Sequence, residues 1–230
     1  MNIFFAPPRH IHGSHIKLTG QEAIHASKAL RRRPGDAITV VDGQGGWYEG
    51  TIVGVTKETV DIEISRSENR PQNVPRLVLG LGIIKKRARL EFAVEKAVEL
   101  GVSSIAMFRS EHTVKEKVRP DRLESVVLSA MKQSMQAWLP EIKLYESLDE
   151  VIRHHEDHTL LAAHEKTEAR PGVDTDFRKP GNILLLVGPE GGFSDSEISA
   201  IREKGGQLIS LGRNRLRSET AAIVLLSQFI

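Results

Sequence analysis

Two short segments of the 230-residue chain bring together residue types that could do chemistry. The first is Leu186-Val187-Gly188-Pro189-Glu190-Gly191-Gly192-Phe193-Ser194, an apolar run that meets three glycines and a proline. Glycine lets a ligand approach the backbone closely, and loops of this kind sit at the carboxyl ends of α/β strands, where such sheets bind ligands. The plain alternative is a tight strand-to-helix turn, but this loop holds more glycine than a turn needs. The second segment is Leu211-Gly212-Arg213-Asn214-Arg215-Leu216-Arg217-Ser218-Glu219-Thr220. Here too a strand ends in a glycine and a polar loop before a helix begins. Arg217 precedes the helix cap, and Glu219 lies in the first turn, where the helix dipole favours a carboxylate. The pair reads either as helix-end charges or as an arginine aimed into a pocket shared with the first loop.

Other chemistries find less support. There is no GxxxxGK[ST] and no GxGxxG after a strand, so neither the P-loop nor the dinucleotide fingerprint is present. His154, His155 and His158 include an HExH spacing, one residue short of HExxH, with no nearby third ligand; they read as surface histidines, and no metal is expected. The absence of cysteine excludes disulfides, thiolate catalysis and cysteine-held clusters. No apolar run reaches the ~20 residues that span a bilayer. The opening residues lack the basic start and apolar stretch of a signal peptide, and a cytoplasmic location is expected. Net charge is only +2, but Arg31-Arg32-Arg33 and Lys85-Lys86-Arg87 with Arg89 are local basic clusters. They read either as solvated faces or as phosphate contacts.

These residues need elements to position them. In the first part, Ala37–Asp42, Trp47–Val55 and Thr59–Ile64 read as short strands around Gly-rich turns, implying a small antiparallel barrel or sandwich, with a helix over Gln21–Leu30 before them. Ser65–Pro75 is polar and aperiodic and reads as a linker. Beyond it, strands are expected at Arg76–Ile84, Ser103–Phe108, Glu141–Tyr145, Thr159–Ala163, Asn182–Val187 and Gln207–Leu211. Helices are expected between them at Arg89–Leu100, Pro120–Trp138, Ser147–His155, Ser194–Lys204 and Ser218–Ile230. Ser194 with Glu197 forms a capping-box signature, and Ser218 reads as a cap. Such alternation implies a mainly parallel sheet covered on both faces.

Taken together, GPEGGFSxxE and LGxxxLRSETA resemble the signature of the RsmE family of ribosomal RNA methyltransferases, a branch of the SPOUT class. The resemblance runs over nearly the whole chain. Phe4-Phe5, His25, Leu30-Arg31, Arg33-Pro34-Gly35-Asp36 and Asp42-Gly43 resemble the family's PUA-like RNA-binding part. Glu91-Phe92, Lys96-Ala97, Glu99–Val102, Ser110-Glu111 and Lys132–Ser134 resemble its centre. One departure is plain: where many members carry arginines, this chain reads Met135-Gln136-Ala137-Trp138-Leu139.

The resemblance implies a PUA-like β-barrel over residues 1–70 and, over 71–230, an α/β methyltransferase domain with a mainly parallel sheet and a deep trefoil knot. It implies a homodimer that binds S-adenosylmethionine and methylates N3 of a uridine in 16S ribosomal RNA of the small subunit. Ala163, His164, Val187, Gly188, Pro189, Glu190, Gly191, Gly192, Ser210, Leu211, Gly212 and Leu216 would hold the cofactor. Arg217 would stabilise the negative charge left on the uracil by loss of the N3 proton, and Glu219 or Glu190 could accept that proton. Arg9, Arg31, Arg32, Arg33, Lys85, Lys86 and Arg89 would contact RNA. The competing readings are another SPOUT reaction, such as ribose 2′-O-methylation, and a non-catalytic RNA-binding assembly factor.

Overall fold

The computed structural model describes residues 2–113, 118–165, 170–171 and 181–230. Its contacts divide the chain into two compact units, Met1–Gln72 with Met131–Leu139, and Asn73–Ala130 with Pro140–Ile230.

The first unit is built on a six-stranded sheet. Its strands are β1 (Ile3–Phe5), β2 (Ile11–His12), β3 (His15–Thr19), β4 (Ala37–Val41), β5 (Gly46–Val55) and β6 (Thr59–Asn69), in the order β1-β4-β5-β6-β3-β2. All pairs are antiparallel except β1 with β4. Alternation in β3 and β6 turns Ile16, Leu18, Val60 and Ile62 inward, where they meet Phe4, Ile38, Val40 and Ile52. Helix α1 (Gly20–Ile24) widens at His25–Ala29 into a π-type turn and covers this core with Ala23 and Ala26.

The supposed linker at Ser65–Pro75 is corrected here, because β6 continues through Asn69 and pairs with Gly46–Glu49. Its far half is polar because it faces solvent, while the backbone ladder with β5 holds it regardless of side chain. The short strands β1 to β3 were not foreseen.

The second unit carries a seven-stranded sheet. Its strands are β7 (Arg76–Gly82), β8 (Ser104–Phe108), β9 (Glu141–Tyr145), β10 (Thr159–Ala163), β11 (Arg170–Pro171), β12 (Asn182–Val187) and β13 (Gln207–Ser210). They run in the order β11-β13-β10-β12-β7-β8-β9, every pair parallel. Parallel strands need crossovers. These include α2 (Arg87–Glu99), α3 (Pro120–Gln133), α4 (Leu148–His154) and α5 (Asp195–Glu203), and α6 (Ser218–Leu226) follows the last strand. Leu90, Val94, Ala97 and Val98 form the buried face of α2, and Gly101 at φ 82 follows its end. Leu184, Leu186, Phe108, Val151 and Ile201 belong to one continuous core. Among the described residues no helix is long and apolar enough to cross a membrane.

Two helix ends differ from expectation. The helix foreseen over Pro120–Trp138 stops at Gln133. Met135 takes the left-handed conformation, φ 59, while the Met135 N–H donates to the Lys132 carbonyl and the Gln136 N–H to the Met131 carbonyl. That is the pattern of a glycine-type helix stop, with methionine in the glycine position. Ala137 and Leu139 then bond to the Gly43–Gly45 turn, and the Trp138 indole N–H donates to the Arg70 carbonyl at 2.8 Å. Trp138 is therefore a packing residue of the first unit. The last helix begins one residue earlier in role than expected: Arg217 is its cap, without a side-chain bond, and buried Ser218 is its first residue. Its regular turns end at Leu226, and a single 3-10 turn, Ser227–Phe229, follows.

Candidate active site

Strands β10, β12 and β13 are neighbours in the sheet and point the same way, so the loops that leave them emerge side by side. The loop after β12 is shaped by the Gly192 N–H, which bonds to the Pro189 carbonyl at 2.9 Å. Gly192 has φ 71, a conformation unfavourable to any residue with a Cβ. At Gly191 a Cβ would lie 2.8 Å from the Cβ of His112, so only glycine fits. The loop ends in a complete capping box, in which Ser194 accepts from Glu197 N and Glu197 accepts from Ser194 N. The loop after β10 is tied to β13 by the His164 N–H on the Ile209 carbonyl, 2.9 Å. It is also joined to the loop after β13 by an exposed Glu165–Arg215 pair at 3.1 Å.

The three loops enclose a cavity of about 660 Å³. This lies within the size range of small-molecule and cofactor sites. Its wall contains Ala163, His164, Val187, Gly188, Pro189, Glu190, Gly191, Gly192, Leu211, Gly212 and Leu216, together with Arg217. Of the cofactor residues expected from sequence only Ser210 is not on the wall; its hydroxyl faces the Gly212 carbonyl at 3.4 Å. Phe193, Ser218 and Ala221 also line the cavity and were not singled out. All three stand within the two motifs, Phe193 in GPEGGFSxxE and Ser218 and Ala221 in LGxxxLRSETA, but were not assigned to the cofactor.

Such a cavity at strand ends could belong to many α/β proteins, and comparison with known proteins decides between them. The family described as RNA methyltransferase domain matches residues 70–230, and the RNA methyltransferase PUA domain matches residues 18–65. Ribosomal RNA small subunit methyltransferase E of Mesomycoplasma hyopneumoniae is 34% identical over 194 residues, 81% of this chain and 82% of the relative. The chain belongs to the ribosomal RNA small subunit methyltransferase E family. The member from Neisseria gonorrhoeae, crystallised with S-adenosyl methionine, superposes with a TM-score of 0.86 at 28% identity, covering 99% of this chain and 95% of that one. A Legionella pneumophila methyltransferase in complex with the bound cofactor SAM gives 0.85 at 27% identity, covering 98% and 95%.

Within this family member the two catalytic candidates lie in different settings. Arg217 is exposed on the cavity wall. Glu219 is buried and absent from the wall; its Oε1 lies 3.5 Å from Arg89 Nε, and its buried Oε2 has no hydrogen-bond partner among the described residues. Arg89 is half-buried, its Nε paired with Glu219. Glu190 does line the cavity, and both its oxygens face the Lys85 N–H, at 3.2 and 3.3 Å. Lys85 and Lys86 are exposed at the start of α2. Arg9, Arg31 and Arg33 are exposed on the first unit, with Arg32 half-buried. The three histidines of the HExH stretch bond locally: His154 and His155 to carbonyls one turn back in α4, and His158 to Asp157. No group of three or more potential metal ligands occurs among the described residues.

Proposed function

We propose that this protein transfers a methyl group from S-adenosylmethionine to N3 of a uridine in 16S ribosomal RNA of the small subunit. The observation that carries the reading is the cavity shared by three loops at adjacent parallel strand ends, with Arg217 on its wall. The residues suit the cofactor. Glycine backbone at 188, 191, 192 and 212 leaves room for a bent ligand, and half-buried Leu211 and Leu216 offer apolar surface to an adenine ring. Bound there, S-adenosylmethionine would supply an electrophilic methyl group.

The chain's own residues have the remaining work. Uridine N3–H is weakly acidic, so its departure leaves charge on the uracil oxygens. Arg217, permanently cationic, would stabilise that charge. Of the two wall carboxylates, Glu165 is paired with Arg215, and Glu190 would take the proton. Glu219, by holding Arg89 beneath the start of α6, would keep Arg217 in place. The first unit would serve as an RNA-binding PUA-like domain over residues 1–70, with Arg9, Arg31, Arg32 and Arg33 on phosphates, and Lys85 and Lys86 would do likewise beside the cavity on the methyltransferase domain, residues 71–230.

Two further features belong to this reading. A trefoil knot is supported by the chain path: after β13 it returns past β10 so that α6 packs on β12 and α2. A homodimer is supported by α6, whose Ala221, Ile223 and Val224 are only half-buried in one copy, and by the exposed ring of Phe92 on α2. Work on ribosomal RNA would put the protein in the cytoplasm.

The test is transfer from labelled S-adenosylmethionine to small subunits that lack the modification, followed by nucleoside analysis. N3-methyluridine is expected. A ribose-methylated product would overturn the uracil assignment, and cofactor binding without any methylation would favour a non-catalytic assembly role.

A further inference from the structure

The mechanism above leaves unused a buried carboxylate behind the cofactor loop. Glu197 is 7% exposed, and its capping role in α5 accounts for only part of its bonding. Its Oε2 also accepts from the Ser110 hydroxyl at 2.9 Å, and its Oε1 from the Glu111 N–H at 3.3 Å. Ser110 and Glu111 begin the segment that follows β8, far from α5 in sequence. That segment is itself folded tightly, since Ser110 N donates to Thr113 Oγ1 and Thr113 N to the Ser110 carbonyl, both at 2.9 Å.

Two more contacts fasten the same segment to the same loop. Glu111 accepts from the Ser196 hydroxyl at 2.6 Å, and bonds from Ser196 and then Ser194 hold its carboxyl below the usual range. His112 stands where a Cβ on Gly191 would be, with its Nδ1 3.3 Å from the Gly192 carbonyl. Gly191 and Gly192 form the cavity wall on their other side. The wall is thus backed by a clasp whose centre is one carboxylate that receives an N–H from its own cap and O–H and N–H donors from one distant segment.

We infer that Glu197, acting through Ser110 and the Glu111 amide, is a positioning residue that holds the Gly191–Ser194 loop in its cofactor-binding form. The inference rests on the S-adenosylmethionine reading of the cavity. A capping residue needs only the Ser194 bonds; the bonds to Ser110 and Glu111 fix where the cap sits, and with it the backbone that faces the ligand. Removing them frees the loop without touching the cavity surface, so cofactor affinity falls while the chemical step at saturation does not.

The experiment is calorimetric titration of S-adenosylmethionine into wild-type protein and the Ser110→Ala, Glu197→Gln and Ser147→Ala variants, with thermal melts and turnover of each. Ser147 caps α4 through Glu150 N and touches neither the loop nor the clasp, so it controls for general destabilisation. Ser110→Ala is expected to weaken binding about three- to ten-fold, the effect of one hydrogen bond, and Glu197→Gln by more. For Ser110→Ala, kcat at saturating cofactor should stay within about twofold of wild type, as uniform loss of binding requires. Ser147→Ala should lower Tm and leave affinity unchanged. Wild-type binding that Ser110→Ala leaves intact, or that Ser147→Ala weakens equally, would overturn the positioning role alone. If wild-type protein fails to bind S-adenosylmethionine, the cavity reading falls, and this inference with it.

Discussion

Arg217 is the residue on which the proposed chemistry turns. As the cap of α6 it makes no side-chain bond to its own helix, yet it is placed on the cavity wall. Arg217→Ala should lower methyl transfer at least about a hundred-fold, the usual cost of one charge-stabilising group, with cofactor binding still measurable. Near-normal turnover would remove Arg217 from the mechanism. Glu219 yields a different prediction, one of stability. With one oxygen on Arg89 and the other buried without a partner among the described residues, it is tolerable only while the arginine is present. Arg89→Met should therefore cost about 1–3 kcal/mol, and the double variant Arg89→Met/Glu219→Leu should recover much of it, because an orphaned polar group is worse than an apolar pair. Denaturant unfolding of both variants decides this, and equal losses would show that the pairing is not what Arg89 contributes. At this scale most of the cavity wall was legible, because Gly188, Gly191 and Gly192 are residues that backbone geometry demands. Ser110 was not, since no local pattern joins it to Glu197. The capping signature of Ser194 and Glu197 gives that carboxylate a local role and carries no trace of its tertiary partners.

At the scale of elements, legibility followed agreement between local chemistry and packing. The apolar run Asn182–Val187 lies in the interior of a parallel sheet, whose two covered faces require it to be apolar. The second half of β6 failed the same test, because its partner β5 supplies backbone bonds that no side chain records. The end of α3 was hidden for another reason: its stop is a left-handed methionine, where sequence reasoning looks for glycine or asparagine. Helix α4 carries a pH prediction of its own. Burial is the chief cause that lowers the pKa of His155 below its usual value, against the opposing bond that the ring N–H donates to the Val151 carbonyl. The folded state thus takes up its proton at lower pH than the unfolded chain does. Between those two values the unfolded state binds more protons, so stability is lost as pH falls through the unfolded value near 6.5. Unfolding followed from pH 8 down to 5 should show a decline that His155→Gln reduces. A decline of the same size in the variant would assign it to other groups.

For the whole molecule the question is how a protein of net charge +2 engages a polyanion. The balance is nearly neutral because 32 Lys and Arg face 30 Asp and Glu, and pairs such as Lys17–Asp61, Arg66–Glu68 and Arg122–Glu91 neutralise some of them locally. What counts for RNA is the basic residues left facing solvent together. Arg31 and Arg33 are exposed on the first unit, and Arg31 is held at φ 53, a conformation that side-chain-bearing residues seldom adopt. That conformation closes the turn that ends at Ala29, where the Arg32 N–H donates to the Ala26 carbonyl at 3.0 Å. Phosphate contacts release counterions, so each one adds about a unit to the slope of log affinity against log salt. Replacing Arg31, Arg32 and Arg33 with glutamine should therefore flatten that slope by about two to three units and weaken binding to unrelated RNA and to small subunits alike. The melting temperature should barely move, because none of the three side chains is fully buried. A slope unchanged by the triple substitution would assign the RNA interface to another face, and Lys85 and Lys86 beside the cavity would be the next pair to neutralise.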